Sequence, residues 1–299
     1  MYAGYHYFRQ YNGGREIEDF RSFYKKFSSE REFGGSFSRI DYLLRSRFAG
    51  KLDYMFNIIL KERPRNILDA GCGNGVNLPL SKVFTNIKYT AVDYAEKTLE
   101  MARRDYPDVD FQLQDIFNMD FEDESFDLAI SSDVLCIYND EEDRMKMINS
   151  IKRVLSKNGI LVLCVPKETV FLKLSIEISR FIAKAKNISL PNDFGGIYFK
   201  KNDIKKMIKR SGLRIQEIID TGINYGIVES ILHLNMKNYK RKFDSSEKLE
   251  NCSFSQNILR DMKLTTGSPR LTSLFYYLSK LLPKEMAMIN IYIIRKEMD

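Results

Sequence analysis

Histidine and cysteine are both scarce in this chain, and each shortage narrows the chemistry open to it. Its 299 residues hold two histidines, His6 and His233, and four cysteines, Cys72, Cys136, Cys164 and Cys252. No CxxC pair and no Cys/His ligand spacing occurs, so no metal site is expected. The cysteines sit mainly in apolar runs, which points to packing, to reduced thiols and to a cytoplasmic setting. An isolated histidine is more often structural than catalytic, so an obvious general base is missing. No uninterrupted apolar run approaches the roughly 18 residues of a membrane span, and the opening Met1-Tyr2-Ala3-Gly4-Tyr5-His6-Tyr7 has no apolar signal-peptide core. No internal repeat or low-complexity tract is found. With 44% hydrophobic and 29% charged residues, disordered and collagen-like chains are excluded.

What is present begins with an uneven charge. The net +7 divides into 13 basic and 8 acidic side chains over 1–65, 10 and 18 over 66–165, and 24 and 14 over 166–299. An acidic centre of −8 therefore lies between flanks of +5 and +10. The basic isoelectric point belongs to accessory segments, not to the middle of the chain.

The periodicity agrees with that division. Apolar residues recur at helical spacing between Ser38 and Glu62, as Leu43, Phe48, Leu52, Met55 and Ile58. From residue 66 short apolar strands are expected near 66–70, 88–93, 110–114, 126–132 and 159–165, with helices near 76–84, 95–105 and 140–156. The last helix follows Asn139-Asp140-Glu141-Glu142, a cap and an acidic first turn at the positive end of the dipole. Repeated strand–helix–strand succession means a parallel sheet with right-handed crossovers, whose ligands bind at the carboxyl ends of the strands. Further on, helices are expected over 170–182, 202–210 and 271–282, a strand over 213–219, and a closing strand over 288–294.

The strongest chemical signal is Leu68-Asp69-Ala70-Gly71-Cys72-Gly73-Asn74-Gly75, a strand running into a glycine turn. Glycines there let a ligand approach main-chain N–H groups with no Cβ in the way. Asp93 ends the second strand 22 positions after Gly71, where a carboxylate can accept both hydroxyls of a ribose. Asp115 lies just past the third strand. A nicotinamide dinucleotide fits less well, because Val76 stands where GxGxxG wants its third glycine, and Asp69 opposes a diphosphate. The pattern favours a cationic nucleoside ligand.

On these residues the run from Ile67 to Pro166 resembles the S-adenosylmethionine-binding core of the class I methyltransferases. The resemblance implies an α/β fold: a Rossmann-like seven-stranded sheet with helices on both faces, an antiparallel last strand inserted between strands five and six, and helical lid insertions. It divides the chain into an N-terminal helical cap over 1–65 and a methyltransferase domain over 66–299, with lids near 166–200 and 221–286. It implies S-adenosyl-L-methionine as cofactor, held by Asp69, Gly71, Cys72 and Gly73 at its methionine part, by Asp93 at the ribose, and by Tyr94, Asp115 and Ile116 at the adenine. Ser132, at the end of strand four, would border the methyl group. The histidine that follows strand four in similar proteins is replaced here by the Cys136-Ile137-Tyr138 run.

Methyl transfer from a sulfonium is an in-line displacement, so alignment matters most, and a base is needed only if the acceptor must lose a proton. Residues placed to reach the acceptor are Tyr138 and His233, with Asp133 and Tyr11 beside them. The basic, aromatic flanks suit a small-molecule acceptor that is anionic or amphiphilic, with peripheral contact to a membrane surface open to the helix at 271–282. Two alternatives stand: an RNA methyltransferase using the +10 segment, disfavoured by the lack of an RNA-binding module, and a non-catalytic cofactor-binding partner protein.

Overall fold

The computed structural model describes residues 51–170 apart from Asn74, together with 173, 174, 177, 181, 197–221, 287 and 289–296. His6, Tyr11, His233, Cys252 and the helix expected at 271–282 lie outside the described residues. Seven strands form one sheet: β1 (Asn66–Ala70), β2 (Lys88–Asp93), β3 (Asp110–Leu113), β4 (Phe126–Ser132), β5 (Leu155–Pro166), β6 (Arg214–Thr221) and β7 (Ile289–Arg295). Their order is β3-β2-β1-β4-β5-β7-β6. β1 to β5 pair in parallel, and β7 lies antiparallel between β5 and β6, the arrangement the resemblance implied.

Helices α1 (Lys51–Glu62), α2 (Glu96–Asp105), α3 (Glu141–Val154) and α4 (Lys201–Arg210) cover both faces. Period-two alternation along the strands decides which face each helix takes. On one side Ile67, Ala91, Leu128, Ile130 and Val162 meet Met55, Ile58 and Ile59 of α1 and Leu99 and Ala102 of α2. On the other, Leu68, Val92, Ala129, Leu161 and Leu163 meet Met147, Ile148 and Ile151 of α3 and Ile204, Met207 and Ile208 of α4. At roughly 1.5–3 kcal/mol per fully buried apolar side chain, the four buried apolar residues of α3, Met147, Ile148, Ile151 and Val154, contribute on the order of 6–12 kcal/mol before entropy is counted. The Asp140 side chain caps α3 by accepting from the Asp143 N–H at 2.7 Å, as its position suggested.

Two expectations are corrected. The helix foreseen at 76–84 is a single 3-10 turn, Leu78–Leu80, because Pro79 has no N–H to continue a ladder and the flanking segment forms turns. The strand expected at 159–165 begins earlier, at Leu155, so that Lys157-Asn158-Gly159 lies inside β5 as an irregularity: Phe126 pairs with Leu155 but Leu128 pairs with Ile160. Asn158 has φ 64°.

Candidate functional site

The carboxyl ends of β1, β2, β3 and β4 adjoin, and the sequence places an acid or a glycine turn at each. After β1 the chain bends through Gly71, Gly73 and Gly75 at φ 81°, 53° and 91°, conformations an L side chain seldom adopts. The N–H groups of Gly71 and Cys72 both reach the Val92 carbonyl at 2.9 Å. A Cβ on Gly71 would lie 2.5 Å from Cγ2 of Val134. Glycine is thus required at 71 by the turn that follows β4, in addition to any demand from a ligand.

Asp93 holds the loop together. Its Oδ2 accepts from the Gly73 N–H at 2.8 Å and its Oδ1 from the Ala95 N–H at 2.9 Å, so one carboxylate joins the glycine turn to the start of α2. Burial pushes its pKa up to about 6, while the N–H groups of Ala95, Gly73 and Tyr94 pull the other way. Asp69 is fully buried, and the Asn77 amide donates to both of its oxygens at 3.1 and 3.3 Å. Burial raises its pKa to about 7, with Asn77 opposing the rise and the Asp93 charge adding to it. Asp69 therefore braces the turn from beneath.

The remaining residues take varied places. Tyr94 and Asp115 are half-buried, and Asp115 Oδ1 accepts from the Phe117 N–H at 3.1 Å to form a turn past β3. Ile116 is buried. Cys72 is buried among the apolar residues of the α1/α2 face, with burial pushing its thiol pKa well up; only its backbone belongs to the turn. The Ser131 hydroxyl donates to the Ala70 carbonyl at 3.2 Å, tying the ends of β4 and β1. Tyr138 is buried in the α3/α4 core, its ring 4.8 Å from that of Phe117, and its carbonyl accepts from Arg144.

Two residues escaped the sequence reading. Asn77 fell within the helix expected at 76–84, so nothing marked it as the partner of Asp69. Lys51 fell within a helical run where a lysine reads as solvated, yet it is 4% exposed, contacts the Asp133 carboxylate and donates to Ser132 Oγ at 3.2 Å. Its partners lie 81 and 82 positions away, beyond any local pattern.

Asp69, Asp93, Asp115 and Asp133 set four carboxylates at these strand ends, with Lys51 as a buried cation beside them. Such a donor set fits a ligand that brings positive charge and hydroxyl donors, as S-adenosylmethionine does. Away from the turn, a groove of about 740 Å³ between α3 and α4 is lined by Tyr198 and Phe199 and carries Arg144, Lys206, Lys209 and Arg210 against Glu141 and Asp203. Among the described residues no helix is long and apolar enough to cross a membrane.

Comparison with known proteins agrees with this geometry. Over 188 residues the chain is 28% identical to malonyl-[acyl-carrier protein] O-methyltransferase of Bacillus cereus, covering 60% of this chain and 67% of that protein. Over 107 residues it is 33% identical to demethylmenaquinone methyltransferase of Thermotoga maritima, covering 36% and 45%. Over 99 residues it is 32% identical to "Probable tRNA methyltransferase 9B" of Mus musculus, covering 33% and 21%. The chain thus spans less than half the length of the second and third of these relatives. The family model described as "Methyltransferase domain" matches residues 61–212, just over half of the sequence. With that match, and with the β3-β2-β1-β4-β5-β7-β6 sheet around an acid-lined glycine turn, the chain belongs to the methyltransferase-domain family and has the class I architecture.

Proposed function

We propose that this chain is an S-adenosylmethionine-dependent enzyme that transfers a methyl group to nitrogen or oxygen of a small-molecule acceptor, anionic or amphiphilic in character. The observation that carries the reading is Asp93: a buried carboxylate at the end of β2 that already grips the Gly73 N–H at 2.8 Å, so the ribose site and the glycine turn are one preorganised unit. When bound, the cofactor supplies a methyl group activated by its sulfonium. Asp93 accepts the ribose hydroxyls; Tyr94, Asp115 and Ile116 border the adenine; the turn at Gly71–Gly75 holds the amino-acid end over Asp69; and Ser132 stands beside the reacting centre. Aligning acceptor and methyl in this way is worth roughly 7–11 kcal/mol in good intramolecular models. Asp133 and Ser132, at the open end of β4, take precedence over the buried Tyr138 as groups that orient the acceptor.

The acceptor class rests on other features. The first two relatives act on an acyl group and a quinone by their names, and the basic groove beside Tyr198 and Phe199 suits an anionic, partly apolar molecule. Val170, Leu174 and Phe181 are exposed apolar residues that fit the same chemistry or a membrane surface, and we place the enzyme in the cytoplasm. A second reading, RNA methylation, is favoured by the tRNA methyltransferase match alone. An acceptor screen following S-adenosylhomocysteine formation tests both: turnover of an anionic small molecule supports the proposal, and turnover of RNA with steep salt dependence replaces it. Cofactor binding without turnover of any acceptor would identify a non-catalytic partner protein.

A further inference from the structure

The cluster around Lys51 is not explained by the cofactor contacts described above. We propose that Lys51 is a positioning residue: its buried ammonium, set between Ser132 and Asp133, latches α1 to the turn after β4 and thereby seats that turn on the glycine loop. The inference rests on the reading of the glycine loop as a cofactor site and adds to it a remote determinant of the loop's shape.

Three observations support the latch. A lysine with 4% exposure is retained in a protein interior only when its charge is paired, and Asp133 provides the pair. Asp133 has φ 61°, a left-handed bend that, glycine apart, asparagine and aspartate adopt most readily. Several contacts hold it there: its N–H reaches the Cys164 carbonyl at 3.0 Å, its carbonyl accepts from Cys136 Sγ at 3.1 Å, and its carboxylate meets Lys51. The next residue, Val134, then closes on Gly71, where a Cβ would come within 2.5 Å. Lys51, Asp133, Val134 and Gly71 thus form a continuous chain of contacts from α1 to the first glycine of the loop. Removing the ammonium frees Asp133 to turn toward water, and the Val134–Gly71 contact loosens with it.

The test uses the full chain and S-adenosylhomocysteine as probe, with affinity measured by calorimetry and folding checked by thermal melting. Lys51→Met is expected to weaken binding about tenfold, within the usual range of site-to-site coupling, while Lys51→Arg, which keeps the charge, returns it close to the starting value. Asp133→Asn is expected to weaken binding comparably, and Lys51→Met combined with Asp133→Asn to be no weaker than the worse single variant, because both remove one latch. Additive losses would overturn the proposal, as would a Lys51 effect with no Asp133 effect, which would mean that Lys51 acts directly on the ligand. Should Lys51→Met fail to fold, Asp133→Asn decides alone: unchanged affinity overturns the latch. Asp93→Ala separates the two readings. Binding lost in Asp93→Ala but intact in Lys51→Met sinks the latch alone, and binding intact in both sinks the cofactor site itself.

Discussion

Replacing Asp93 by asparagine keeps the size and shape of the side chain and changes one acceptor into a donor. Both carboxylate oxygens are already committed, Oδ2 to the Gly73 N–H at 2.8 Å and Oδ1 to the Ala95 N–H at 2.9 Å. Whichever way the new amide turns, its NH₂ faces one of those N–H groups. The variant therefore loses one structural hydrogen bond to a charged acceptor and one acceptor for a ribose hydroxyl. At about 1.5–3 kcal/mol for a hydrogen bond to a charged group, and allowing for relaxation of the loop, the loss is about 2–4 kcal/mol, or roughly 30- to 1,000-fold in affinity for S-adenosylhomocysteine. A pH dependence follows from the same carboxylate, whose pKa burial raises to about 6. Above that pH it is ionised and accepts from the ribose; as pH falls through about 6 it takes a proton and affinity declines. Calorimetric titration between pH 5 and 8 should show that decline in the unmodified chain and a nearly flat profile in Asp93→Asn. Affinity unchanged by the substitution, or a flat profile in both proteins, would refute the assignment of Asp93 to the ribose.

Three further outcomes are expected. Asp69, with its folded-state pKa raised to about 7 from 3.8, binds its proton more tightly in the native state; stability is greatest below pH 4, falls as pH rises to about 7 and is level above it. Three pH units correspond to at most about 4 kcal/mol, so Asp69→Asn should remove that part of the slope in urea unfolding between pH 4 and 8, leaving the smaller fall that Asp93 contributes up to about pH 6, and parallel curves would exclude Asp69 as a source. Gly71→Ala combines φ 81° with a 2.5 Å approach to Val134 and should cost about 1–3 kcal/mol, read as a lower melting temperature together with weaker cofactor binding. Tyr292 is fully buried in β7 and its hydroxyl has no hydrogen-bond partner among the described residues; Tyr292→Phe should leave stability unchanged or raise it by up to about 1–3 kcal/mol, and a marked loss would reveal a hidden partner.

The parts of the fold legible in the sequence are those set by local pattern. β1, β2 and β4 match their expected bounds, because buried strands between helices read as short apolar runs, and Asp140 announces α3 because a cap is a local device. The segment at 76–84 misleads for the same reason: Val76, Leu78 and Leu80 supply apolar spacing, but Pro79 and the brace from Asn77 to Asp69 decide the backbone. Within the site, Gly71 and Asp93 could be found from their spacing along the chain. Lys51 could not, since its ammonium meets side chains more than 80 positions away, and no periodicity separates a buried lysine from a solvated one. Tyr138, chosen for its place after β4, packs on Phe117 because the 3-10 turn Leu135–Ile137 carries the chain back toward α3.

The same pairings change how the basic flanks read. Taken as a count, +5 and +10 surround an acidic core and suggest a positive rim for the acceptor. In the folded chain several of those cations are used internally: Lys51 on Asp133, Lys167 and Lys201 together on Asp220 at 2.8 and 2.7 Å, and Arg295 on Glu62 at 3.0 Å. Lys201 ties α4 to β6, the next element in the chain, while the other pairs join segments more than 50 positions apart. Asp220 also accepts from the buried Asn290 amide at 2.8 Å, so the network fastens the end of β5, β6, β7 and α4 together. Paired in this way, their charges are shielded from an approaching ligand, and Coulomb attraction at a distance falls to the cations that remain near water. Lys206 and Lys209, exposed on α4 beside Phe199, have that character. Among the described residues, exposed lysines of this kind line the groove between α3 and α4, so under the proposed reading selectivity for an anion should follow the residues of that groove more closely than the net charge of the flanks.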